Sequence, residues 1–215
     1  MKSLSFLVLL IVAGTAAGAG EAWAQQPSGL IGGLSLGGGS LSLEGSAAGD
    51  AGVALVRQRD SHVGSFSFDL HLGGMMSERA AVMVVATFDT GLASTFGQTV
   101  DVGVGDDLVS FESSETSLSS GVIGGAVQYW LTSRVWVRGG VGGGYLQRDF
   151  TFGTDGDYLT LTLDRGFAFA FLAGVGVDVY RRSNFAIGAE FHLNAFSLHG
   201  VGVYAPSLQV GLNWY

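Results

Sequence analysis

Apolar positions in this chain recur two residues apart. In SFSFDLHLG, residues 65 to 73, Phe66, Phe68, Leu70 and Leu72 alternate with Ser67, Asp69 and His71. That is the period of a β-strand whose successive side chains point to opposite faces. The alternation returns in AAVMVVATFD (80–89), GVIGGAVQYWL (121–131), VWVRGGVGGGYLQR (135–148), GFAFAFLAGVGVDVY (166–180), FAIGAEFHLN (185–194) and LQVGLNWY (208–215). An eighth run, GLIGGLSLGGGSLSLEG (29–45), slips in phase between Leu36 and Leu41, where Gly37, Gly38 and Gly39 offer a site for a bulge. Beyond the first 24 residues no segment carries a helical period, so the pattern predicts eight strands of roughly ten residues each.

The connections between these runs alternate in length. They are long at about 46–62, short at Met76 to Arg79, long at 90–119, short at Thr132 to Arg134, long at 149–165, short at Arg181 to Asn184 and medium at 196–204. An even-stranded transmembrane barrel alternates long external loops with short periplasmic turns and keeps both termini on the turn side. The charges follow the same division. Asp101, Asp106, Asp107, Glu112 and Glu115 fall in the second long connection, while Arg79, Arg134, Arg181 and Arg182 fall at short turns.

One face of nearly every strand is Phe, Leu, Val and Ile, and the other mixes Gly, Ala and Ser with scattered charges. An eight-stranded barrel has a lumen only wide enough for ordinary side chains. The small face therefore belongs inside and the greasy face outside, against lipid. Aromatic residues gather near strand ends: Tyr129, Trp130, Trp136, Tyr180, Phe185 and Trp214 toward the turns, and Phe66, Phe88, Tyr145, Phe150, Phe152, Phe167 and Tyr204 toward the loops. Two such girdles are expected at the two interfaces of a bilayer.

Composition supports this placement. The 215 residues include 36 Gly, 2 Pro and no Cys, with 13% charged residues and a formal net charge of −8; the mean hydropathy is +0.40. The chain is too apolar for an ordinary soluble domain and lacks the long apolar runs of a helical membrane protein. Without clustered Lys and Arg it has no means of gripping nucleic acid. Lys2, the apolar stretch SFLVLLIVAG and the small-x-small site AWA at Ala22 to Ala24 form a secretory signal. The expected organisation is a cleavable signal peptide over 1–24 and one barrel domain over 25–215, an all-β, eight-stranded antiparallel up-and-down transmembrane β-barrel.

Phase places Asp69, His71, Arg138, Asp178, Glu190, His192 and Gln209 in the lumen, as a polar network. Arg138 and Asp178 lie a few residues from their respective turns on neighbouring strands, and the expectation is that they form a cross-strand ion pair. Gly124, Ala126, Gly140, Gly142, Gly144, Ala168, Ala170, Gly174 and Gly176 are inward and small, so part of the lumen is expected to be unfilled. The four histidines are too scattered for a zinc site. The pairs Asp106/Asp107 and Asp155/Asp157 lack the spacing of a calcium loop and read as solvated acidic loops. No metal and no cofactor is expected.

In its last strand the chain resembles the small bacterial outer-membrane β-barrel proteins, the class of the OmpA transmembrane domain and the OmpX-like and OmpW-like barrels. Their C-terminal insertion signal has the form polar-x-Gly-x-x-aromatic-x-aromatic. Gln209, Gly211 and Trp214 match it, while the closing aromatic, Tyr215, stands one place early. The resemblance implies periplasmic chaperones and the barrel-assembly machinery as partners in biogenesis, and outer-membrane lipid and lipopolysaccharide as surroundings of a monomer. EFHLNAF resembles the His-x-Ser arrangement of lipid A deacylase barrels, but Asn194 stands where the serine would follow His192, so no acyl transfer is expected. The expectation is a non-catalytic outer-membrane barrel that presents acidic loops for envelope integrity or surface interaction. The alternatives are a narrow OmpW-like channel or conduit for a small apolar ligand and, third, a lipid A modifying enzyme.

Overall fold

In a computed structural model of the chain, residues 29–44, 61–93, 98–104, 107–113, 115–154, 157–198 and 200–215 are described. The signal segment with Ala22 to Ala24, and Asp106, Asp155 and His199, lie outside the described residues, as do the side chains of Asp101, Asp107, Glu112, Glu115, Phe150, Phe152 and Asp157. Ten strands follow one another: β1 (Leu30–Glu44), β2 (Ser61–Ser77), β3 (Ala80–Ala93), β4 (Gln98–Val104), β5 (Asp107–Ser113), β6 (Glu115–Trp130), β7 (Val135–Thr154), β8 (Asp157–Arg181), β9 (Phe185–Leu198) and β10 (Val201–Trp214). Eight of them close an antiparallel barrel in the order β1-β10-β9-β8-β7-β6-β3-β2, each paired with its neighbours in sequence apart from the excursion between β3 and β6. Each of the eight alternating runs falls on a different barrel strand, three of them overrunning its ends by a residue.

Closure sets the tilt. The row of paired residues that leaves β7 at Tyr145 passes through Gly121, Phe88, Phe68, Leu36, Val210, Ala189 and Val177, and returns to β7 at Val135. For eight strands, that ten-residue displacement means a tilt of about 40° and a backbone radius of roughly 8 Å. A lumen of that width holds side chains and little else.

The connections differ from the expected loops in three places. The stretch 90–119 contains the small separate hairpin of β4 and β5. The stretch 149–165 is mostly strand, because β7 and β8 stay paired up to Thr154 and Asp157. The stretch 196–204 contracts to a tight turn between Leu198 and Val201, which is paired on both sides and passes through Gly200 at φ +85°, a left-handed conformation that a side chain disfavours.

The slip in β1 is not a bulge. Its pairing with β2 runs unbroken from Leu30 to Leu43, straight through Gly37, Gly38 and Gly39. What changes at that level is the meaning of the two faces. Leu36 points outward and is 47% exposed, whereas Leu41 and Leu43 point inward and are buried. The same exchange occurs on β10, where Leu208, Val210 and Leu212 face out while Val201, Val203 and Ala205 face in, and on β9, where Ile187 faces out and Phe196 and Leu198 face in. Near the turns the barrel is apolar outside, and near the loops it is apolar inside. With Leu118, Val122 and Leu146, these inward residues form the loop-end part of an apolar core that also takes in Ile31, Met83, Trp130 and Trp136 nearer the turns. The outward apolar band, from Met76 up to Phe66 on β2, is roughly 25 Å tall at this tilt, the height of a bilayer's hydrocarbon layer in barrels.

Candidate functional site: the filled lumen

The strands that face lipid with Leu70 and Leu72 must face the lumen with Asp69 and His71, and those that face it with Phe191 and Leu193 must do so with Glu190, His192 and Asn194. All seven sequence-derived lumen residues are buried, none more than 4% exposed. Five of them, Asp69, His71, Arg138, Glu190 and His192, come together in one layer.

Arg138 on β7 sits in register with Gln128 on β6 and donates to its Oε1 from Nε at 3.1 Å and from Nη2 at 2.9 Å. Its Nη1 crosses the lumen to Oδ1 of Asp69 at 3.2 Å, and that oxygen also meets Nδ1 of His71 at 3.0 Å. The guanidinium lies 4.9 Å from the centre of the Trp136 ring. On the opposite wall Glu190 accepts from Ser35 at 2.7 Å and from Asn213 at 2.9 Å, and lies 2.9 Å from Nε2 of His192. His192 joins the two halves, since its Nδ1 is 3.8 Å from Oδ2 of Asp69. One tier higher, Asp89 accepts from Ser67 and from Asn194, which also donates to Thr87 at 3.0 Å. Gln209 sits in register beside Glu190 and donates to Ser207 at 2.8 Å.

Arg138 and Asp178 do not pair. The register sets Arg138 opposite Gly174, and the backbone N–H of Asp178 bonds to the carbonyl of Arg134 at 2.8 Å. Asp178 thus lies four residues lower, at the turn-end mouth. Its Oδ2 is 3.7 Å from Arg181 and accepts the Tyr215 hydroxyl at 3.0 Å. Counting residues from the turns at β6–β7 and β8–β9 assumed that those turns lie level, which the stagger of a closed barrel rules out.

The small inward residues are seats for large ones. A Cβ on Gly176 would collide with the Trp136 indole, one on Gly140 would meet Leu172, and one on Gly144 would come within 2.7 Å of the Phe196 ring. The lumen is therefore packed at Gly140, Gly144 and Gly176, three of the places where it was expected to be empty. Trp130 and Trp136, assigned to a girdle, are both buried inward, and the outward rings at that end are Tyr129, Tyr180, Phe185 and Trp214. Of the residues at the insertion signal, Gln209 and Gly211 face the lumen and Trp214 faces out. Tyr215 bends back against Trp130, with ring centres 6.0 Å apart, beneath Arg181.

Sequence reading missed Gln128, Ser35, Asn213, Ser67, Asp89 and Thr87. The alternation already assigned Asp89 and Asn213 to the inward face, but only the register brings them to Asn194 and Glu190. Among the described residues, no three of His, Asp and Glu are placed to hold a metal ion.

No family model and no curated protein matches the chain. Solved structures do. The chain is similar to Ail, the attachment invasion locus protein of Yersinia pestis, crystallised with the heparin analogue sucrose octasulfate. Identity is 15%, the match covers 87% of this chain and 99% of Ail, and the TM-score is 0.53. A second crystal structure of Ail gives 14% identity over the same shares, again with a TM-score of 0.53. Neisserial surface protein A matches at 16% identity over 87% of this chain and 97% of its own, with a TM-score of 0.49. The chain has the fold of the eight-stranded outer-membrane barrels.

Proposed function

We propose that this protein is an integral, non-catalytic barrel of the bacterial outer membrane, closed to solutes, that acts through what it presents outside the cell. The observation that supports this most directly is the pairing of a lipid-facing apolar band with a lumen crossed by locked side chains. Phe66, Leu72, Val84, Ile123, Phe169, Leu208 and Val210 are 52–65% exposed. That much apolar surface needs a hydrocarbon solvent. Inside, the Arg138 layer and the apolar core at the loop end leave transport without a path.

In this reading residues 1–24 are a signal peptide, both termini are periplasmic, and the chain is a monomer delivered by chaperones to the assembly machinery. Two of the three long connections are acidic, while the first, over 45–60, balances Asp50 and Asp60 with Arg57 and Arg59. Residues 94–114 carry Asp101, Asp106, Asp107 and Glu112 with no Lys or Arg, so their partners are neutral or cationic surfaces rather than polyanions.

Two measurements test it. Membrane fractions run unheated and boiled should show the mobility shift of a closed barrel. In planar bilayers the purified protein should pass no steady current. A reproducible open-state conductance would overturn the closed reading in favour of the narrow channel.

A further inference from the structure

Outward apolar side chains continue down to the short turns without a polar skirt. Leu30 is 67% exposed, Met76 72%, Leu131 50% and Val179 69%. Lipid headgroups at this end must then lie level with the turns themselves. Each of the three turns presents an exposed arginine there: Arg79 between β2 and β3, Arg134 between β6 and β7, and Arg182 between β8 and β9.

These arginines rise from ordered backbone. The carbonyl of Arg79 accepts the N–H of Trp130 at 2.9 Å, and the Arg182 N–H donates to Phe185 at 2.8 Å. Thr132 Oγ1 accepts the N–H groups of Arg134 and Val135 at 3.2 and 3.0 Å. The Arg182 Nε donates to the Tyr180 hydroxyl at 2.5 Å, which steers the fork of its remaining donors. Tyr129, Tyr180 and Trp214, 37–44% exposed, stand just above them on the lipid side. Glu78 is the exposed carboxylate among the described residues of these turns, and Asp178 is buried against Arg181 and Tyr215.

We infer that this turn-end rim is a collar for anionic phospholipid headgroups, with Arg79, Arg134 and Arg182 binding the phosphodiesters of the periplasmic leaflet. A guanidinium fork matches two phosphate oxygens at once, and the aromatic rings hold the glycerol region at the same depth. The collar rests on the membrane reading above.

The test is electron spin resonance of the purified full chain in phosphatidylcholine vesicles doped with spin-labelled phosphatidylglycerol or spin-labelled phosphatidylcholine. Each arginine favours an anionic lipid at its own position by roughly fivefold, which dilutes to roughly 1.5- to twofold enrichment over the whole first lipid shell. The variant R79Q/R134Q/R182Q should keep its heat-dependent mobility shift and lose the enrichment, and raised salt should mimic it. Equal binding of both labels by the unaltered protein, or enrichment retained in the triple variant, would overturn the collar and leave the membrane reading standing. Failure of the unaltered protein to form a heat-modifiable barrel in these vesicles would overturn both.

Discussion

Replacing Arg138 by methionine removes the guanidinium from the central lumen layer and strips Asp69 of its arginine partner. At the 3.2 Å separation of Arg138 and Asp69, the attraction is about 5 kcal/mol at an effective dielectric constant near 20. Desolvation offsets much of this in the intact protein, but a carboxylate stripped of its partner keeps the whole penalty. Arg138→Met should therefore cost about 3–5 kcal/mol, read as a lower urea midpoint in vesicles by tryptophan fluorescence and by the gel shift. A double-mutant cycle locates the partner. Arg138→Met with Asp69→Asn should show a coupling of about 2 kcal/mol, whereas Arg138→Met with Asp178→Asn should be additive within about 0.5 kcal/mol. Asp178 lies about 13 Å away along the strand and has Arg181 and Tyr215 of its own. A cost below about 1 kcal/mol for Arg138→Met, or stronger coupling to Asp178 than to Asp69, would refute the assignment.

Two further outcomes follow from the packing. Gly144→Ala should lower stability by about 1–3 kcal/mol, because its Cβ would press on Phe196 and Ala170; the additional change Phe196→Leu should recover part of that loss in the same urea titration. Leu41→Ala should cost about 2–5 kcal/mol, while Leu36→Ala, five residues earlier in the same strand and 47% exposed, should stay within about 1 kcal/mol because acyl chains refill the space. Similar costs at the two positions would contradict the exchange of faces in β1.

Strands and phases were legible because every barrel strand meets the same two environments, so one period repeats eight times. Asp69, Arg138 and Glu190 could be placed inside from local alternation alone. Their partners could not, since stagger belongs to the closed ring and no single strand carries it; hence Arg138 was matched to a neighbour in the sequence pattern and found its carboxylate across the lumen. The glycines misled for a related reason. Gly144 and Gly176 look like empty floor until the register brings Phe196 and Trp136 over them. The β1 slip was visible as a change of phase, but its cause was a change of solvent.

That exchange of faces gives the barrel a waterline. A thicker bilayer would wet Ser40 and Ser197 with acyl chains, and a thinner one would strand Phe66 and Phe167 in water, so immersion depth is written into the strands independently of any loop. Hydrophobic mismatch is ordinarily relieved by tilting or by local thinning of the bilayer. A cylinder whose outer pattern reverses sharply at one rim has little freedom to tilt, and the membrane must adjust its thickness to the protein.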